Sequence, residues 1–257
     1  MIALINLSGK LVDIIDIDNA DDRYYFSASA LYPFYVIDTL AFFYKYNKGV
    51  IGSYSQYIEL ISSDRECCYD IKNKRFFKLK NQPGRYPVDL KKNFKYVFNP
   101  FRIIDDRHNL IYSFEHSDSI EVYNFIDCQK KKACVHSHFF KENNNFDFNA
   151  VRDYDKVAEY LITNSRYYLL HYDPYREVYY RIVLHSYKYK EGKNVYLRTD
   201  VPWSIVVINK DFKVLKEVFF QPGKHYFNFF IILPEGVLIK QQSYENNYSL
   251  FNFIDTV

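Results

Sequence analysis

The sequence predicts an all-β chain, a β-propeller of four-stranded antiparallel blades, on three observations. The first is composition: 27 Tyr, 23 Phe and one Trp stand against 7 Gly in 257 residues, and aromatic side chains suit the pleated, half-buried surface of a sheet. The second is period, because apolar and polar residues alternate along short segments, as they do in strands with one buried face. The third is spacing: turn residues recur at intervals of about ten, the rhythm of sandwiches and propellers. A pair of immunoglobulin-like sandwiches is the rival architecture. With 48% hydrophobic and 25% charged residues, the chain buries a core, which excludes disorder, collagen and coiled coil.

The elements follow in order. Ala3–Leu7 and Leu11–Ile17 form a hairpin across Ser8-Gly9-Lys10, where Gly9 supplies the turn. Tyr24–Tyr46 is apolar and aromatic but contains Pro33 and Asp38, and a carboxylate near a bilayer centre costs a few kcal/mol; no transmembrane segment is expected. Phe101–Asp105, Leu110–Phe114, Ser119–Phe125 and Ala133–Phe140 are four consecutive strands, and four strands in about 40 residues make one blade. Val157–Thr163, Tyr167–Tyr172 and Val178–Leu184 repeat the measure, the last after an Asp173-Pro174 turn. Ile205–Asn209 and Lys213–Phe220 make a second hairpin, and Tyr226–Leu233, Gly236–Gln241 and Ser249–Ile254 close the chain. Helix is nearly absent, apart from a turn around Asp153–Tyr160. The expectation is a single propeller domain over 1–257, of about four to six blades, complete or shortened.

Charge argues against nucleic acid as a partner. The formal net charge is +3, and the densest basic run, Lys130-Lys131-Lys132, reads as a solvated hairpin tip and not as a phosphate track. The cysteines Cys67, Cys68, Cys128 and Cys134 match no disulfide framework or zinc knuckle. Met1 is followed by Ile-Ala-Leu-Ile-Asn, with no basic region and no lipid-accepting cysteine, so a secretory signal is not visible and a cytoplasmic location stays open.

Four constellations could carry chemistry. Cys134, His136 and His138 would share one face of a strand, but residues two apart on a strand sit too far from each other for a compact metal site; no metal and no cofactor is expected. Asp105-Asp106-Arg107-His108 could begin an acid/base site, yet Asp and Asn are ordinary turn residues. The richest patch is Tyr172-Asp173-Pro174-Tyr175-Arg176 with Tyr179, Tyr180 and Arg181: Asp-Pro sets a turn, tyrosine faces stack on a sugar or peptide, and Arg181 could clamp a carboxylate. The same side chains could equally pack blade against blade. Trp203, the only tryptophan, reads as core or as a ligand platform. The candidate ligand-binding residues are therefore Tyr172, Asp173, Tyr175, Arg181 and Trp203, with no catalytic residue assigned. Phosphate-loop, serine-elbow and zinc-helix motifs are absent from the sequence.

From Asn93 onward the chain resembles the Bacteroidetes family known as domain of unknown function 4221, itself similar to six-bladed propellers of the cell envelope. Leu110-Ile-Tyr-Ser-Phe-Glu-His-Ser-Asp-Ser-Ile-Glu-Val-Tyr123, Tyr172-Asp-Pro-Tyr-Arg-Glu-Val-Tyr-Tyr-Arg-Ile182 and Trp203-Ser-Ile-Val-Val-Ile-Asn209 with Phe212-Lys-Val-Leu215 carry the resemblance. Members typically begin with a lipoprotein export signal and run longer than this chain. The resemblance implies a propeller in the cell envelope or periplasm and brings no established activity. The function expected is that of a non-catalytic propeller that binds or scaffolds a protein, peptide or glycan; the alternative is a glycan-active hydrolase or lyase using Asp105 and Asp173.

Overall fold

The computed structural model describes residues 2–5, 11–15, 24–27, 34–47, 53–63, 66–81, 83–86, 100–141, 144–242 and 247–254. Two compact units emerge, Met1–Pro87 with Phe125–Gln129, and Val88–Asn124 with Lys130–Val257. The fold is all-β and propeller-like, built from successive antiparallel sheets.

In the first unit, β1 (Ile2–Ile5) pairs with β2 (Leu11–Ile15) as the alternation predicts; the Ser8-Gly9-Lys10 reversal lies outside the described residues. A five-stranded sheet follows, made of β3 (Tyr24–Ser27), β4 (Tyr35–Ile37), β5 (Leu40–Asn47), β6 (Glu66–Asp70) and β7 (Arg75–Phe77). Its core gathers Ala41, Phe43 and Tyr69. Between β5 and β6 the structure adds a helix that periodicity did not suggest, α1 (Tyr54–Ser62). Ser53 and Gln56 cap it reciprocally: the Gln56 N–H donates to Ser53 Oγ and the Ser53 N–H to Gln56 Oε1.

The second unit contains two four-stranded sheets and one of three strands. In the first, β8 (Phe101–Ile104), β9 (Asn109–Ser113), β10 (Ser119–Asn124) and β11 (Gln129–Cys134) form a meander in sequence order, the topology of a blade. Lys130–Lys132 lie within β11 and not at its tip, because Cys128, with φ of 58°, makes the turn instead. The second sheet orders β12 (Arg166–Asp173), β13 (Val178–Leu184), β16 (Trp203–Asn209) and β17 (Val214–Phe220), with a small hairpin, β14 (Lys190–Glu191) and β15 (Asn194–Val195), inserted in the connection from β13 to β16. The third joins β18 (His225–Leu233), β19 (Gly236–Gln241) and β20 (Tyr248–Phe251). Val157–Thr163, expected as a strand, is instead the body of α2 (Tyr154–Thr163). The Asp153 carboxylate accepts the N–H groups of Asp155 and Lys156, and this N-cap starts a helix where apolar spacing alone was ambiguous.

The reversals share one grammar. Asp70, Asp105, Asp173 and Asn209 each end a strand and accept backbone N–H groups further along the turn. A residue with positive φ then follows, Lys74, His108, Glu177 or Phe212. None is glycine, so the side-chain oxygen holds a left-handed turn that glycine would otherwise provide.

Aliphatic and aromatic side chains fill the space between the sheets. Ile103, Ile111, Val122, Tyr167, Tyr179, Val206 and Phe212 belong to one core cluster spanning the first two. Tyr168 meets Phe227 edge to face at 5.3 Å and Tyr180 meets Phe230 at 5.5 Å, joining the second sheet to the third.

Gly236 tests the third sheet. A Cβ there would lie 2.5 Å from the Phe251 carbonyl oxygen and 2.9 Å from Leu250 Cδ1. Gly236→Ala is expected to lower stability by about 1–3 kcal/mol, the usual cost of overpacking, as a reduced urea midpoint.

Candidate functional site

The patch predicted around Asp173 and the string beginning at Asp105 meet in space. Asp105 closes β8, is 3% exposed and accepts at both oxygens. Its Oδ1 takes the N–H groups of Arg107 and Asn109 at 3.0 and 2.9 Å. Its Oδ2 takes the Asn109 amide at 2.9 Å, the Tyr179 hydroxyl at 2.6 Å and the Arg107 guanidinium at 3.4 Å. Asp173 repeats the arrangement with no exposed surface: Oδ1 accepts from the N–H groups of Tyr175 and Arg176, and Oδ2 from Arg176 Nη1 at 2.6 Å and the Tyr180 hydroxyl at 2.8 Å. Burial, followed by the hydrogen bond to the carboxylate, pushes the Tyr179 and Tyr180 hydroxyls well above the ordinary tyrosine range, so both remain donors at neutral pH. Arg176 also reaches the carbonyls of Leu233 and Pro234. The β8–β9, β12–β13 and β18–β19 turns are thus knitted into one rim.

The five predicted ligand residues separate on this frame. Tyr172, Asp173 and Tyr175 share the rim, with Tyr175 57% exposed and Tyr172 half-buried. Arg181 and Trp203 do not reach solvent, both being 0% exposed. Arg181 sits on β13, whose residues are all buried. Its Nε donates to Ser113 Oγ at 2.9 Å, Nη1 to the carbonyls of Asp118 and Val135, and Nη2 to those of Phe114 and Ser117. All five N–H donors are filled, and the guanidinium lies 3.4 Å from the Tyr167 ring centroid. The clamp expected for a ligand carboxylate is therefore a clamp on the protein's own loop carbonyls, because a guanidinium sealed between sheets must find its acceptors there. Burial lowers its pKa to about 10, which keeps it charged at neutral pH. Trp203 stacks on Phe220 at 4.1 Å and donates its indole N–H to the His225 carbonyl at 3.0 Å.

The Cys134-His136-His138 string is not a strand face, since β11 ends at Cys134. His136 contacts Asp118 at 3.1 Å, and among the described residues no three His, Cys, Asp or Glu side chains converge as a ligand set.

Two features escaped sequence reasoning. Glu217 accepts the hydroxyls of Ser137 and Ser204 and the N–H of His138, and Ser204 also bonds His185 Nε2 at 2.9 Å. The Ser204 proton points to Glu217, so His185 donates to Ser204 and does not deprotonate it; this is a structural chain, not a nucleophile with its base. The second feature is a groove of about 190 Å³ between α2 and the β14–β15 hairpin. Its signal in the sequence was the alternation of tyrosine and lysine along 187–190.

A crystal structure of a member of the domain of unknown function 4221 family from Bacteroides vulgatus is similar to this chain, with a TM-score of 0.70 at 19% identity. The match covers 92% of this chain and 66% of that protein, so the chain spans about two-thirds of its length. At that identity the likeness shows a shared fold. The neighbour comes from the family that the strings at 110–123, 172–182 and 203–215 resemble. No family model matches the chain, and no curated protein matches it.

Two outcomes are expected. Arg181→Met removes five hydrogen bonds and leaves the carbonyls of Ser117 and Val135 without the guanidinium's donors, while those of Phe114 and Asp118 keep the N–H groups of Ser117 and Val135. It should lower stability by about 3–5 kcal/mol, and Arg181→Lys, with the charge but fewer donors, should fall between it and the unchanged protein in urea unfolding. Burial lowers the pKa of His185 from its ordinary 6.5 to about 4. The unfolded chain then binds a proton that the folded one resists, so this contribution is complete above about pH 6.5 and is lost as pH falls toward 4. Urea midpoints between pH 7.5 and 4.5 should decline, and less steeply for His185→Phe.

Proposed function

We propose that the protein is a non-catalytic binding protein, a single propeller domain of the domain of unknown function 4221 kind, which engages a protein, peptide or glycan ligand in the bacterial cell envelope. The rim bearing Tyr172, Asp173 and Tyr175 is the contact surface, and Arg181 and Trp203 are packing residues of the sheets that carry it. The envelope location rests on the family resemblance, and the fold likeness agrees with that kinship.

One observation carries the binding reading: both Asp105 and Asp173 are buried and fully bonded. A glycosidase needs one carboxyl group able to protonate a leaving oxygen and another facing the sugar. Here each carboxylate stiffens a turn. What the rim turns outward is the Tyr175 ring, the edge of Tyr172 and the side chain of Arg107, which is 40% exposed. Flat aromatic faces beside a guanidinium suit stacking on a sugar or a peptide, and residues on loops held by a rigid scaffold are the usual place for recognition.

Screening against a panel of bacterial and host polysaccharides and of envelope-protein peptides, followed by calorimetry, tests this. Tyr175→Ala is expected to weaken the best ligand by about threefold to tenfold with an unchanged urea midpoint. Tyr172→Ala should weaken it similarly while also lowering the midpoint, because Tyr172 packs against Tyr179 and the core. Release of reducing sugar from any polysaccharide of the panel, abolished by Asp105→Asn or Asp173→Asn, would show a glycan-active enzyme instead.

A further inference from the structure

The two longest strand-to-strand connections of the second unit meet at one place, away from the Asp105–Asp173 rim. In the first sheet, 114–118 suffices to join β9 to β10. In the second, 185–202 joins β13 to β16 and folds its own hairpin, β14–β15. The other long connection, 135–165 between β11 and β12, contains α2. The Tyr187 N–H donates to the Ile162 carbonyl at 2.8 Å and the Ser186 N–H to Ser165 Oγ at 3.2 Å, which tie the base of the hairpin to the end of the helix. A meander does not need connections of this length, and long loops with structure of their own are commonly functional.

Between them runs the groove. Ala158, Leu161 and Ile162 of α2 form one wall, and Tyr189, Val195 and Leu197 form the other. Its volume, about 190 Å³, lies below the ~300–1,000 Å³ typical of small-molecule sites but accommodates a large apolar side chain. Val195 and Leu197 remain 51% and 64% exposed. Basic residues border the groove: Arg198 is part of the lining, Lys190 stands beside the lining Tyr189, and Lys193 lies in the β14–β15 turn. Lys188 is matched by Glu191 at 2.5 Å, whereas Lys190 and Lys193 have no carboxylate partner among the described residues; Lys190 rests 5.0 Å from the Tyr189 ring centroid.

We propose that this groove docks an acidic peptide segment of a partner protein, with one large aliphatic or aromatic side chain seated between α2 and the hairpin and carboxylates facing Lys190 and Lys193. The concavity selects an inserted side chain over a flat bilayer. Tyr187 and Tyr196 meet edge to face at 5.1 Å, a pairing that takes up ring surface on which nucleic-acid bases would otherwise stack.

A random-peptide display library panned on the full-length chain tests the proposal. Enriched peptides should be acidic around a large apolar residue, and their binding should weaken as salt rises. Replacing that residue by Ala should weaken binding by about tenfold. Lys190→Glu combined with Lys193→Glu, and separately Leu197→Asp, should each abolish binding with the urea midpoint unchanged, while Tyr175→Ala leaves it intact and so separates this site from the rim. The proposal is overturned if no peptide is enriched, if the enriched peptides are not acidic, or if they bind the groove variants equally well. It is also overturned if phosphatidylserine vesicles or single-stranded oligothymidylate bind in place of peptide and are lost in those variants.

Discussion

The buried guanidinium of Arg181 ties together the first two sheets of the second unit. Arg181 projects from β13 toward the sheet β8–β11 and donates to four carbonyls, those of Phe114, Ser117 and Asp118 in the β9–β10 connection and of Val135 just after β11; the Phe114 and Asp118 carbonyls also accept the N–H groups of Ser117 and Val135. A buried carbonyl left unsatisfied costs about 1–3 kcal/mol, so Arg181 helps to hold the loop at 114–118 against the second sheet. Lysine could not replace it, since its three donors radiate from one point whereas the guanidinium presents five in a plane. Tyr167 completes the arrangement by covering the flat face of Arg181 and donating its hydroxyl to Asp118.

Two tyrosines of β13 show the same economy of polar groups. Tyr179 and Tyr180 contribute ring area to the core and a hydroxyl to a turn carboxylate, Tyr179 to Asp105 of the neighbouring sheet and Tyr180 to Asp173 of its own. At these positions tyrosine fills space like phenylalanine while satisfying a buried acceptor. Glu217 plays the reciprocal part, collecting two serine hydroxyls and a backbone N–H beneath the Phe139 and Phe219 rings.

Stiff turns bear on the proposed binding role. Asp105 and Asp173 each hold their loop through several hydrogen bonds, so a ligand docking on the proposed rim would meet side chains already ordered, at a lower entropy cost. The groove beside α2 is built differently, from two long connections tied by a few hydrogen bonds, and offers an apolar slot with a charged edge in place of a flat aromatic face.

Strand content was legible because alternation and turn residues are local properties of the chain: the hairpins at Trp203–Phe220 and His225–Gln241 lie where the pattern puts them. Of the two α-helices among the described residues, Tyr54–Ser62 was not read from the sequence, and Tyr154–Thr163 was read only as a turn around Asp153–Tyr160 followed by a strand, since its apolar spacing is ambiguous. The roles of Arg181 and Trp203 were decided by tertiary structure. β13 is buried on both faces and β16 on both along nearly its whole length, so no alternation says which side chains meet solvent. Arg181 finds its acceptors more than forty positions away in the chain, and the groove needs α2 and a distant hairpin together. By itself the sequence determined an all-β chain of antiparallel hairpins with Asx-capped turns. Which charges are sealed and which surfaces stay open depended on packing between sheets, because burial is set by neighbours distant in sequence and not by the local pattern.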